Sequence, residues 1–175
     1  MSATRRRFLA LGGGLCTALL APRRPLAAPA ARVEMRGSAR GGRVWFAPSG
    51  LAVAVGTRLR FVNRDPGNSH TATAYHPALF ARSRRIPQAA APWDSGFLLP
   101  DESFEVTLTV PGVYDYYCIP HEHAGMAGRL VVGRPRDPGF AGAAAAGTDL
   151  PPGVAASLPP VEAILARGRI AEGDR

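Results

Sequence analysis

In the run Tyr117-Cys118-Ile119-Pro120-His121-Glu122-His123-Ala124-Gly125-Met126-Ala127-Gly128, a thiol, an imidazole and a thioether follow one another as Cys-x2-His-x4-Met. A thiolate is a soft donor, an imidazole nitrogen a borderline one, and a thioether a weak axial one. With one more imidazole they make the donor set of a copper site suited to electron transfer. His70 is the candidate for the missing donor, in the turn-rich run Asn63-Arg64-Asp65-Pro66-Gly67-Asn68-Ser69-His70-Thr71. The chemistry expected is one-electron exchange, not substrate turnover, because no general base or second metal cluster accompanies the set.

Competing metal chemistries fit less well. Structural zinc takes a closed set of four strong nitrogen or sulfur donors, and Met126 is a poor zinc ligand. A binuclear copper centre needs a second Cys in the loop, which is absent. His121-Glu122-His123 is a His-x-His pair of the sort multicopper oxidases use. Those enzymes need several such pairs, and the chain has 4 His in all. His123 is expected on the rim, with replacement of His121 as ligand the alternative; His76 is expected at the surface.

Strands must carry these residues. Phe104, Val106, Leu108 and Val110 alternate with Glu105, Thr107 and Thr109, the period of a strand with one buried face. Leu51–Val55, Leu59–Asn63, Val113–Cys118 and Arg129–Val132 behave alike, with turns at Gly56-Thr57 and Pro111-Gly112. Short strands and frequent turns predict a β-sandwich. Residues 76–100, punctuated by Pro77, Pro87, Pro92 and Pro100, read as a long connection with a helical turn near Ala78–Arg85. That connection is either a partner-docking flap or a solvated linker.

Residues 33–133 resemble the cupredoxins of the plastocyanin and halocyanin kind. The resemblance is carried by Tyr117-Cys118-x-Pro120-His121-x4-Met126-x-Gly128 and by Phe61-Val62-Asn63 ahead of His70. It implies an all-β, Greek-key β-sandwich or barrel with a long inserted loop and a C-terminal tail. One type 1 copper ion would be held by His70, Cys118 and His121 in near-trigonal fashion, with Met126 axial. The residue after the first His is often Asn in such proteins and braces the two ligand loops; here it is Thr71. Pro120 lacks a backbone N–H, which denies the Cys118 sulfur a donor, favours Cu(I) and predicts a moderately high potential.

The ends of the chain bear on where it works. All 21 basic side chains are Arg, which reflects a biased genome and serves no chemistry of the site. Five of them fall in residues 1–30, where Thr4-Arg5-Arg6-Arg7-Phe8-Leu9 resembles a twin-arginine export signal. Without those five, 16 Arg face 13 Asp and Glu, a net charge of +3 that removes the case for a nucleic-acid partner. The apolar stretch Phe8–Ala21 is short for a membrane span, so cleavage near Ala28-Pro29-Ala30 is expected, with a retained anchor as the alternative. Cys16 would leave with the signal and Cys118 would remain unpaired, which suits metal ligation.

The expected organisation is a signal over 1–30, a cupredoxin domain over 31–135, and an Ala/Gly/Pro-rich tail over 136–175. A short docking helix is expected near Pro159–Gly168 of that tail. The function expected is an exported, monomeric electron carrier, periplasmic or otherwise extracytoplasmic, and not an enzyme. Its partners would be a haem protein, an oxidase or a reductase, met through a small transient interface. Copper trafficking or storage is the alternative, weakened by a count of only 3 Met.

Overall fold

The computed structural model describes residues 31–39, 42–145 and 149–171; the signal expected over 1–30 lies outside the described residues. In chain order the strands begin with β1 (Ala31–Gly37), β2 (Val44–Ala47), β3 (Gly50–Val53), β4 (Thr57–Asn63) and β5 (Thr73–Ala74). There follow β6 (Ser103–Leu108), β7 (Gly112–Tyr117), a 3-10 segment (Ile119–Ala124) and β8 (Ala127–Val132). Two short helices, α1 (Pro152–Ser157) and α2 (Val161–Arg167), precede β9 (Arg169–Ile170).

The strands form two sheets, β2-β1-β4-β6 and β5-β7-β8-β3-β9. β1 runs parallel to β4, and β3 runs parallel to β8; the other pairings are antiparallel. The result is an all-β sandwich that does not close into a barrel. The alternation in the sequence is the cause: Val33, Met35, Leu59 and Phe61 of one sheet and Tyr114, Tyr116, Leu130 and Val132 of the other are buried. Tyr116 meets Phe46 and Phe61 edge-on, with ring centroids 4.7 and 5.1 Å away.

Two regions differ from the expectation. Residues 76–100 form no helical turn: Phe80 and Ala81 take left-handed φ values of 54° and 53°, which break a helix. The segment also buries Ile86, Trp93 and Leu98 in the main core, so it is part of the sandwich and not a solvated linker. His76 is buried, its Nδ1 accepting the Ala78 N–H at 3.0 Å.

The tail, whose composition reads as linker, is packed over residues 149–171. Val154 of α1 joins Tyr75, Tyr117 and Ala127 in one apolar cluster, while Ile164 of α2 and Ile170 of β9 cover Val113 and Val131. A buried ion cluster ties these additions down. Asp115 in β7 accepts from Arg85 Nε at 2.9 Å and Arg129 Nε at 2.7 Å. Arg85 also donates to Ala145 O and Arg129 to Pro159 O, at 2.7 and 3.0 Å. Removing Asp115 from this cluster would leave two guanidinium groups without their shared carboxylate, a loss that costs about 3–5 kcal/mol.

Candidate metal centre

Three chain segments meet at one end of the sandwich. β4 ends at Asn63 and hands the chain to the turn that carries His70. β7 ends at Tyr117, so Cys118 stands at the mouth of the 3-10 segment, and Met126 closes that loop before β8. Pro120 suits the start of the segment, where an N–H would be orphaned anyway, and Gly125 ends it at φ 81°. Cys118 N–H donates to Met126 O at 3.0 Å, and Met126 N–H to His121 O at 3.2 Å, which staples the loop shut.

The donor atoms of His70, Cys118 and His121 all lie within 4.8 Å of one another, the converging His/Cys/Asp/Glu group found among the described residues. Cys118 Sγ stands 3.6 Å from His70 Nδ1 and 3.4 Å from His121 Nδ1. Bonds of about 2.0 Å to nitrogen and about 2.3 Å to sulfur, set at 120°, would place such donors about 3.7 Å apart. The residues present therefore fit a trigonal metal. Met126 is fully buried with Cys118 in the main core. His123 is exposed and outside the converging group.

Thr71 braces the two ligand loops. Its backbone N–H donates to Cys118 Sγ at 3.3 Å, and its Oγ1 accepts the Ile119 N–H at 2.9 Å. The same hydroxyl donates to Thr73 Oγ1 at 3.0 Å, whose own proton goes to Asp94 Oδ1 at 2.7 Å. A hydroxyl and a main-chain amide here take up the bracing that an Asn would give.

Two acidic residues escaped the sequence reading. Asp65, 2% exposed, places Oδ2 3.0 Å from His70 Nε2. Glu122, between two histidines, turns inward instead of to solvent. It accepts from Tyr75 Oη at 2.9 Å and pairs with Arg82, whose guanidinium lies over the Tyr117 ring. The Asx-forming run Asn63-Arg64-Asp65-Pro66-Gly67 was a signal for the first. For Glu122 none existed, because Arg82 lies far away in sequence.

Electrostatics follow from burial. Desolvation pushes the Cys118 thiol up to about 11, against the pull of the Thr71 and His121 backbone N–H groups. A metal must therefore displace a proton there. His121 is pushed below the usual imidazole range, first by burial and then by His70, with Asp65 opposing. Burial raises Asp65, but hydrogen bonds from Asn68, Gly67 and His70 outweigh it and hold the carboxyl below its usual range.

A family model for copper binding proteins of the plastocyanin/azurin family matches residues 33–133. The chain is 32% identical over 127 residues to a chloroplastic plastocyanin of Oryza sativa subsp. indica, covering 73% of this chain and 80% of that protein. It is 35% identical over 105 residues to a chloroplastic plastocyanin of Physcomitrium patens, covering 60% of this chain and 59% of that protein. A pseudoazurin structure from Sinorhizobium is similar with a TM-score of 0.47 at 31% identity, over 61% of this chain and 75% of that one.

Proposed function

The chain belongs to the plastocyanin/azurin family of copper-binding proteins, and we propose that it is an exported type 1 copper protein that shuttles single electrons between redox partners. The observation that carries this reading is the convergence of Cys118 Sγ with Nδ1 of His70 and of His121. These three, with Met126 at the loop's end, are the residues that would hold the copper ion. Copper bound among them would supply the Cu(II)/Cu(I) couple.

The chain's own residues do the rest. His70 and Cys118 are wholly buried, which keeps water from the thiolate. His121 is half-buried, and exposed Pro120 and Ala124 beside it form the proposed electron port and docking patch. A patch of this kind suits brief contact with a haem protein, an oxidase or a reductase. The reading includes action as a monomer outside the cytoplasmic membrane. Support comes from the arginine-rich start of the sequence. None of the described helices is long and apolar enough to cross a membrane. Copper hand-over would call for open ligands, and burial of His70 and Cys118 weighs against it.

The test is to load the protein with Cu(II) and record visible absorption and EPR beside a Cys118→Ala variant. An intense thiolate-to-copper band with narrow hyperfine splitting, lost on substitution, is the expected result. A pale spectrum indifferent to Cys118 would sink the reading.

A further inference from the structure

Asp65 has a geometry that neither the ligand set nor the docking patch accounts for. Its Oδ2 stands 3.0 Å from His70 Nε2, the ring nitrogen that faces away from Cys118. The carboxylate is fixed from every side. Gly67 N–H donates to Oδ1 at 2.9 Å, Asn68 Nδ2 donates to Oδ2 at 2.8 Å, and the Asp65 N–H donates to Asn63 Oδ1 at 2.9 Å. Asn63 is anchored in turn, its Nδ2 donating to Asn68 O and Leu98 O at 2.8 and 2.9 Å. On the remaining side Gly37 leaves the space: a Cβ there would fall 2.0 Å from Asp65 Oδ2. Both partners are buried, at 2% and 0% exposure, so water screens the pair weakly.

We propose that Asp65 is the positioning residue of the copper site, holding His70 as its Nε2–H tautomer and biasing the site toward the oxidised metal. The first part follows from acceptor chemistry. A carboxylate can only accept, so Nε2 must carry the proton and Nδ1 is left bare toward Cys118. The second part follows from charge. A buried carboxylate on the far side of a ligating imidazole makes that ligand more basic and stabilises the higher metal charge more than the lower. Asp65 thus opposes Pro120, whose missing N–H favours Cu(I). The inference rests on His70 being a copper ligand.

The experiment compares wild type with Asp65→Asn, Asp65→Ala and Asn68→Ala. In the metal-free protein, ¹⁵N-resolved NMR of the His70 ring should show a protonated Nε2 and bare Nδ1 in wild type and Asp65→Asn. Asp65→Ala should give a mixture of tautomers. In the copper-loaded protein, Asp65→Asn should lose about tenfold in Cu(II) over Cu(I) affinity, a rise of about 59 mV in potential. Asn68→Ala loosens the same loop and keeps the charge, so it should lower the unfolding midpoint without that rise. An unchanged Asp65→Asn potential, or an equal rise in Asn68→Ala, overturns the proposal. So does an Nδ1–H tautomer in wild type. If wild type itself lacks the Cys118-dependent blue spectrum, the electron-carrier reading has failed; if the spectrum is present while these shifts are absent, Asp65 alone has been misread.

Discussion

The two imidazoles that face Cys118 sit in unlike surroundings. His70 is fully buried, its far nitrogen is gripped by Asp65, and its main chain pairs with Leu98 through hydrogen bonds of 3.1 and 2.8 Å. His121 rides on a 3-10 turn, is half-buried, and has Pro120 and Ala124 exposed around it. The same side-chain type is thus set in one place by charge and main-chain pairing, and in the other by a stapled loop at the surface. In the proposed division of labour the His70 side tunes and fixes the site, while the His121 side lets a partner reach it.

Cys118 joins the two sides, so its loss should do the most damage. Cys118→Ala should abolish the intense visible band altogether, whatever happens to either imidazole; absorption of the Cu(II)-loaded variant checks this. The next largest effect is that of pH on the same thiol. Its folded pKa is raised from 9.0 to about 11, so the stability it contributes is full below pH 9 and declines as pH rises toward 11. Denaturant titrations of metal-free protein should show a loss of up to about 3 kcal/mol over that window. The copper-loaded protein and Cys118→Ala should lack this thiol-linked slope, since a ligated thiolate carries no proton.

Two glycines separate the sides more finely. Gly37→Ala drives a Cβ into Asp65 and should raise the potential, as Asp65→Asn does, by electrochemistry on the loaded protein. Gly125→Ala places a Cβ 2.9 Å from Gly153 O at a φ of 81°. It should cost about 1–2 kcal/mol of stability, the usual cost of a left-handed residue, and shift the potential less. If both variants move potential and stability alike, the contrast between the two sides is broken. The smallest effect belongs to His123→Ala. With its ring exposed and outside the converging group, visible and EPR spectra should stay as in wild type.

Much of this site was legible before any coordinates, and the reason is local. The Cys118, His121 and Met126 donors lie on one loop, so spacing alone places them together, and alternation in Ser103–Leu108 gives its strand away. What escaped depends on distant partners. Glu122 is inward-facing because Arg82 and Tyr75 wait for it. His76 is buried by a turn that ends in two left-handed residues. Helix α1 has no charged first turn or side-chain cap to announce it, and it is held by Val154 against Tyr75 and Tyr117. Propensity could not foresee that a segment rich in Ala, Gly and Pro would find an apolar cleft to fill.

The order of the second sheet gives the tail a further importance. That sheet begins with β5 and ends with β9, each two residues long, and β9 is the last described strand of the chain. Ile170 and Arg169 lie against Gly50 and Leu51, and Ser49 N–H donates to Ile170 O at 3.0 Å. A long bare strand edge is a template on which a second molecule can add its own strand. Arg169 and Ile170 thus act as a stopper on β3: a chain cut back before them should keep His70, Cys118, His121 and Met126 in place but offer a sticky flank to its neighbours, so solubility should fail before colour does.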